Sequence, residues 1–229
     1  MAGVSAIGFG KDISSIEGSR LELGPQGRVL RQQLLDAIHF LHISGILTNG
    51  RSANASVRLT DTPDHVLVTA RGLPKDITEE DFGIVTLEGE FVSGKLGKGV
   101  RSVISMHTHA YKRPGVGSVI HTHSLNATAF AVAQKPIPLH YEPLLTRGQT
   151  VPIPVSPYGD RNSGGLVSVL DSFLAEHPET RAALLANHGV LVFDETPEKA
   201  AQLAVTIDEA AGIFIRAAAL GGSQPILSK

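Results

Sequence analysis

Two pairs of histidines in this sequence have the residue type and the spacing that metal chemistry needs. His121 and His123 end a short apolar run at residues 117–124, and His107 and His109 form a second pair with the same spacing. Side chains two positions apart share a face of an extended strand, so His121 and His123 can direct their imidazole nitrogens at one point. Neutral imidazole is the commonest protein ligand for a catalytic divalent metal. The first pair therefore predicts part of a metal site at the end of a buried strand.

A third histidine, His188, stands in the tripeptide Asn187-His188-Gly189 between two apolar runs. Asparagine followed shortly by glycine marks a tight reversal, and buried flanking strands would hold this histidine rigidly. Three histidines without a fourth strong protein ligand suit a catalytic metal, because one position stays open for substrate or water. We predict one divalent ion per chain on His121, His123 and His188, with manganese, zinc and iron all compatible. On spacing alone, a packing or surface role for these histidines stays open.

The composition limits the other classes of function. The chain has 229 residues, no cysteine, 42% hydrophobic and 18% charged residues, and a net charge of −2. We therefore expect one globular domain over residues 1–229, in which residues 1–27 form an N-terminal arm. Neither a basic run nor an apolar stretch of about 20 residues is present, so we expect no nucleic-acid or membrane partner. The start of the chain lacks the features of an export signal, which favours the cytoplasm.

The elements that must position the histidines can be predicted from periodicity and turn residues. Apolar residues at helical spacing predict a helix over residues 29–44, and a threonine cap followed by proline predicts that the last helix begins at Thr196. Ser124 is expected to cap a helix that directly follows the His121 strand. A short helical turn is expected at residues 78–81, and a loop at residues 94–100. Antiparallel strand pairs are predicted for 53–59 with 65–69, 84–87 with 91–92, and 183–186 with 190–193.

Four segments of the sequence resemble the class II aldolase and adducin family, in the same order. They are residues 53–58 (ANASVR), 68–75 (VTARGLPK), 113–124 (RPGVGSVIHTHS) with 127–130 (ATAF), and 184–192 (LLANHGVLV). The resemblance covers roughly residues 28–220. It implies an α/β fold, a three-layer α/β/α sandwich around a mostly antiparallel sheet, and a homotetramer or a multiple of it. It also implies a divalent metal on the residues that match His121, His123 and His188.

The sequence departs from the sugar-phosphate aldolases of this family at the positions that bind phosphate and move the proton. The family has glycine-asparagine, serine-glycine and serine-serine-glutamate, where this chain has Ala53-Asn54, Arg71-Gly72 and Val100-Arg101-Ser102. Guanidinium groups match planar carboxylates, so Arg71 and Arg101 suggest a carboxylated substrate, although two solvent-facing arginines would also fit. The predicted substrate-binding residues are Asn54, Arg71, Gly72, Arg101 and Ser102.

The leading hypothesis from the sequence is a carboxy-lyase. It resembles the family's decarboxylases and would release carbon dioxide from a hydroxylated aromatic or heteroaromatic carboxylate or dicarboxylate through a metal-stabilised enolate. The candidate proton donors are His107, His109 and Glu142, and both histidines could instead complete the metal shell or pack. Two alternatives remain: an aldolase or epimerase that acts on a sugar phosphate, and a non-catalytic, adducin-like assembly module.

Overall fold

The structure is a computed structural model that describes residues 16–17, 19, 22–47, 53–69, 72, 75–97, 100–160 and 165–226. Its helices are α1 (Pro25–Ile43), α2 (Val100–Ala110), α3 (Leu125–Ala133), α4 (Glu142–Thr146), α5 (Gly165–Glu176) and α6 (Pro197–Ala217). Its strands are β1 (Ile16–Glu17), β2 (Ala53–Arg58), β3 (His65–Thr69), β4 (Phe82–Thr86), β5 (Phe91–Leu96), β6 (Ser118–Thr122), β7 (Val155–Ser156), β8 (Ala182–Leu185) and β9 (Gly189–Asp194).

These nine described strands form one sheet in the order β1-β5-β4-β3-β2-β6-β9-β8-β7. Each pair of neighbours is antiparallel except β7 and β8, which run parallel. The predicted α/β fold with a mostly antiparallel sheet is confirmed. The strand that carries His121, β6, lies in the middle of the sheet between β2 and β9.

Helices cover both faces of the sheet, because side chains alternate between the faces along each central strand. In β6, Ile120 belongs to the core that α1 and α6 cover, whereas Val119 belongs to the core that α2 and α5 cover. His121 is two residues after Val119 and therefore lies on the α2 face. This alternation makes three layers and decides which helix can reach the candidate metal site.

The helix after the histidine strand is capped differently from the prediction. Ser124 occupies the N-cap position of α3 but makes no side-chain cap hydrogen bond. The backbone N–H groups of Asn126 and Ala127 instead donate to Oδ1 of Asp208, at 2.9 Å each. Asp208 is buried on α6, so its carboxylate satisfies the first turn of α3 and complements the helix dipole. The sequence missed this cap because the partner is 82 residues away.

Two local predictions are wrong. Residues 78–81 form a turn and not a helix, because the carboxylate of Asp81 accepts hydrogen bonds from the backbone N–H and hydroxyl of Thr78 and the chain enters β4 directly. Residues 94–96 continue β5 and do not form a loop. The antiparallel strand pairs and the capped start of α6 are confirmed, with Thr196 Oγ1 accepting from Lys199 N at 3.2 Å.

The N-terminal arm is described only in part. Ile16–Glu17 pairs with Leu96 and Lys95 at the edge of the sheet, and residues 1–15, 18, 20 and 21 of the predicted arm lie outside the described residues. The arm ends earlier than predicted, because α1 begins at Pro25 and not at residue 29. Across the ranges that the structure describes, no helix combines the length and the apolar character needed to cross a membrane.

Candidate metal centre

His121, His123 and His188 converge at one end of β6. One ligand nitrogen from each imidazole lies within 4.8 Å of the others, and no further His, Asp or Glu among the described residues belongs to this cluster. Nε2 of His121 lies 3.0 Å from Nε2 of His123. The ring of His188 lies 4.7 Å from that of His121 and 4.8 Å from that of His123, measured between centroids. The structure thus brings together the three histidines that the sequence pointed to.

The neighbouring strand fixes the imidazole of His121. Its Nδ1–H donates to the carbonyl oxygen of Val190 on β9, at 3.0 Å, which leaves the lone pair of Nε2 directed at the cluster. Burial holds the pKa of His121 well below its ordinary value, and the nearby imidazoles of His188 and His123 lower it further. His121 is therefore neutral at physiological pH, which is the state that binds metals.

The cluster fits a divalent metal ion. Two nitrogens bound to one tetrahedral zinc at its usual bond length lie about 3.4 Å apart, close to the separation of Nε2 in His121 and His123. Three imidazole donors leave coordination positions for a substrate, as in catalytic zinc sites. Nitrogen donors suit zinc, manganese and iron alike, so the donor set does not select among them.

A tight turn between β8 and β9 delivers His188 to the cluster. Asn187 adopts a left-handed conformation with φ 57°, which asparagine tolerates better than most residues. A Cβ added at Gly189 would lie 2.5 Å from the carbonyl oxygen of Thr122 and 2.8 Å from Cδ2 of His123. Glycine is therefore required at position 189 for the turn to approach the end of β6.

His107 lies on the same face of the sheet as His121 but outside the cluster. It is buried on α2, and its imidazole bridges two side chains of β2: Nδ1 lies 2.6 Å from Ser56 Oγ and Nε2 lies 2.6 Å from Asn54 Oδ1. Ser56 Oγ also lies 2.8 Å from the phenol oxygen of Tyr111. Burial lowers the pKa of His107 to about 3, so this imidazole is neutral.

The other two predicted proton donors have different surroundings. His109 donates from Nδ1 to the carbonyl oxygen of Ser105 in its own helix, at 2.7 Å, and acts electrostatically on Asp171 of α5. Glu142 is exposed in the first turn of α4. His107 hydrogen-bonds to Asn54, which lies opposite His121 in the sheet, so the structure connects this histidine to the cluster.

The predicted substrate-binding residues are only partly described. Asn54 pairs directly with His121 across β2 and β6. A Cβ added at Gly72 would lie 3.5 Å from the carbonyl oxygen of Ala53. Arg71 lies outside the described residues. Arg101 and Ser102 belong to the first turn of α2, and their side chains are also outside the description.

Neither Ser56 nor Tyr111 is among the site residues predicted from the sequence, although periodicity points to both. Ser56 is two residues after Asn54 and shares its face of β2, and Tyr111 follows His107 by four positions, one helical turn. Their polar atoms meet in the layer between the sheet and α2.

The sequence matches the family described as "Class II Aldolase and Adducin N-terminal domain" over residues 32–215. The chain belongs to this family. The L-fuculose phosphate aldolase of Haemophilus influenzae is 30% identical over 203 residues, covering 87% of this chain and 88% of that enzyme. The 5-methylthioribulose-1-phosphate/5-deoxyribulose-1-phosphate aldolase of Rhodospirillum rubrum is 32% identical over 199 residues, covering 84% and 83%. The methylthioribulose-1-phosphate dehydratase of Pseudomonas syringae pv. tomato is 30% identical over 172 residues, covering 70% and 81%.

Solved structures of the family share the fold. An L-fuculose 1-phosphate aldolase superimposes with a TM-score of 0.76 at 23% identity, covering 93% of this chain and 94% of that one. The L-fuculose-1-phosphate aldolase of Thermus thermophilus gives a TM-score of 0.67 at 25% identity, covering 86% and 98%.

These comparisons overturn the leading hypothesis from the sequence. The relatives are named as aldolases and a dehydratase of sugar phosphates, so the prediction of an aromatic carboxylate decarboxylase is wrong and a carboxylated substrate is not supported. The prediction of a lyase is supported, because all of these relatives break carbon–carbon or carbon–oxygen bonds. The arginines at positions 71 and 101 could pair with a carboxylate, but two arginines do not by themselves establish a carboxylated substrate.

We predict that Gly189→Ala weakens metal binding and destabilises the fold by about 1–3 kcal/mol, because the added methyl group collides with Thr122 and His123. Thermal unfolding and a competition titration with a metal chelator measure the two effects. Gly117→Ala is the matched control: its Cβ would meet the carbonyl oxygen of Glu195 at 2.1 Å, at the other end of β6. The control should lose stability but keep its metal affinity, and a Gly189→Ala protein with unchanged affinity would contradict the role of the turn.

The buried His107 should make stability depend on pH. Its pKa is about 3 in the folded protein and about 6.5 in an unfolded chain, so the unfolded state binds more protons between these values. The stabilisation is complete above about pH 6.5 and is lost as the pH falls towards 3. Denaturant unfolding at about pH 7 and about pH 4 should therefore show a larger loss for the wild type than for His107→Gln. Equal losses would show that His107 is accessible to protons in the folded state.

Proposed function

We propose that this protein is a metal-dependent aldolase that cleaves a ketose 1-phosphate to dihydroxyacetone phosphate and an aldehyde. The observation that carries the proposal is the convergence of His121, His123 and His188 on one point of a sheet in the fold of the class II aldolases. The names of the relatives support the reaction type, since L-fuculose phosphate and 5-deoxyribulose 1-phosphate are ketose phosphates.

The reaction breaks the bond between C3 and C4 of the sugar. The hydroxyl at C4 gives up its proton and becomes the carbonyl of the aldehyde, and the bonding electrons move through C3 to the carbonyl oxygen at C2. A divalent ion held by the three histidines would stabilise the negative charge on oxygen as this bond breaks. A proton taken up at C3 then completes dihydroxyacetone phosphate.

The protein contributes three neutral ligands in a fixed arrangement. Because all three are imidazoles, a bound divalent ion keeps its full charge of about +2, which strengthens its attraction for substrate oxygens. The hydrogen bond from His121 to Val190 sets the tautomer, and the turn at Asn187 and Gly189 sets the approach of His188. The ligands thus need no rearrangement when the substrate binds.

The identity of the residue that moves the proton stays a prediction. We assign no proton transfer to His107, because both of its nitrogens are hydrogen-bonded and its pKa is far below neutrality. His109 and Glu142 stay as predicted donors, with Glu142 the more exposed of the two.

We also propose that residues 1–229 form one domain that assembles into a homo-oligomer, in keeping with the predicted homotetramer. Several large apolar side chains are exposed on the isolated chain, among them Ile43 at the end of α1, Leu125 and Val132 on α3, and Leu220 after α6. Burial between subunits would remove these side chains from water.

The proposed aldolase should release dihydroxyacetone phosphate from L-fuculose 1-phosphate or 5-deoxyribulose 1-phosphate when metal is bound. A coupled assay that reduces dihydroxyacetone phosphate measures the rate, with unphosphorylated L-fuculose as the matched control substrate. His121→Ala should lower the rate by more than about a hundredfold, because a ligand is lost. The absence of product from any ketose 1-phosphate by fully metal-loaded protein would overturn the aldolase proposal, and release of water from methylthioribulose 1-phosphate would indicate a dehydratase.

A further inference from the structure

The side chain of Asn54 lies beside the metal ligands. Asn54 and His121 are directly opposite each other in the antiparallel pair of β2 and β6, so their side chains project from the same face of the sheet. The Cβ atoms of such a pair are typically about 4.5–5.5 Å apart. A substrate that contacts the open side of the histidine cluster therefore comes within reach of the Asn54 amide.

An asparagine amide can present either of two opposite groups. Rotation by half a turn exchanges a carbonyl oxygen, which only accepts hydrogen bonds, for an NH₂ group, which only donates them. A sugar phosphate carries oxygen atoms that gain negative charge as the bond breaks, so a donor beside the metal is favourable and an acceptor is repulsive. The orientation of Asn54 thus decides whether this residue helps or hinders the substrate.

The direction of each hydrogen bond in the layer behind Asn54 follows from its amide oxygen, which can only accept. Oδ1 of Asn54 lies 2.6 Å from Nε2 of His107, so Nε2 donates and Nδ1 of the neutral ring is left as an acceptor. Nδ1 lies 2.6 Å from Ser56 Oγ, so the Ser56 hydroxyl donates to it and accepts in turn from the phenol of Tyr111, at 2.8 Å.

With Nδ1 accepting, neutral His107 must carry its proton on Nε2. This Nε2–H donates to Oδ1 of Asn54 at 2.6 Å, which turns the Asn54 carbonyl towards α2. The chain of donors ends at an amide oxygen, and an amide has no proton to pass on. The network therefore orients a group and does not relay a proton.

We propose that His107 is a positioning residue that, supported by Ser56 and Tyr111, locks the Asn54 amide with its NH₂ group facing the metal centre, where it donates to an oxygen of the substrate. The identity of that oxygen, as an atom of a ketose 1-phosphate, rests on the proposed function. His107 is buried with 2% of its surface exposed, so it reaches the substrate only through Asn54.

Two substitutions of His107 separate this role from simple packing. In His107→Gln the amide nitrogen lies near the former Nε2 and can still donate to Asn54 Oδ1. In His107→Asn the shorter side chain can contact Ser56 but not Asn54. We expect metal-loaded His107→Gln to keep kcat/KM for L-fuculose 1-phosphate or 5-deoxyribulose 1-phosphate within about threefold of wild type, and His107→Asn to lose about tenfold or more, the usual effect of one hydrogen bond to a charged group.

Metal content and the temperature of unfolding serve as controls, because both variants should retain the metal and unfold at similar temperatures. Equal losses of kcat/KM in the two variants, or wild-type values in both, would overturn the proposal. The loss of one slope of the profile of kcat/KM against pH in both variants would also overturn the proposal, because that result would make His107 a proton carrier.

A second measurement needs no substrate. The ¹⁵N spectrum of the histidine rings should show His107 as the neutral tautomer with its proton on Nε2, and Ser56→Ala should weaken this preference. A wild-type His107 protonated on Nδ1 would reverse every hydrogen bond to Asn54 and refute the inference. If wild-type protein cleaves no sugar phosphate, the proposed function fails, and this spectrum alone decides whether His107 orients Asn54.

Discussion

The site depends on a neutral imidazole buried in the centre of the sheet. His121 lies on β6 between β2 and β9, so its backbone is fixed from both sides, and the carbonyl of Val190 fixes its ring. Burial removes the charged form, because transfer of an imidazolium ion into this layer would cost more solvation than the one hydrogen bond to Val190 restores. His123 follows at the end of the strand and His188 arrives from the β8–β9 turn. One ion could contact all three rings, because His121 presents its lone pair at a defined position within the cluster.

The same sheet register links the histidine cluster to the polar layer under α2. β2 runs beside β6, which places Asn54 next to His121 and Ser56 next to Val119. His107 then joins Asn54 to Ser56 and Tyr111 on one face of the sheet. On the other face, Asp208 of α6 caps α3, the helix that begins directly after His123. The histidine cluster is thus held between two buried polar networks, one on each face of the sheet.

The sequence was sufficient to predict the parts of this arrangement that local periodicity controls. The pair His121 and His123 follows from a strand period of two, and His188 follows from a reversal marked by Asn187 and Gly189. The contacts that join distant segments could not be predicted in this way. Asp208 caps a helix 82 residues away, and Ser56 meets His107 across 51 residues, so neither contact leaves a local pattern. Periodicity does place Ser56 and Tyr111 on the correct faces, but not in contact.

The substrate class could not be predicted from single residues. Arginines at positions 71 and 101 suggested a carboxylate, but a charged side chain near a site marks a substrate only if its direction is known. The overall match to L-fuculose phosphate and 5-methylthioribulose-1-phosphate aldolases carries more information, because it extends over more than four fifths of the chain. The family resemblance predicted the fold, whereas single departures from the family's residues did not identify the substrate.

The most direct test of this account is the metal content of the purified protein, measured by elemental analysis together with three histidine variants. The account predicts about one divalent ion per chain in the wild type and in His109→Ala, whose ring is hydrogen-bonded within α2. It predicts a large loss of metal in His121→Ala and in His188→Ala, because each removes one of three ligands. Unchanged metal content in both of these variants, with folding confirmed by thermal unfolding, would contradict the central claim that the three imidazoles form the metal centre.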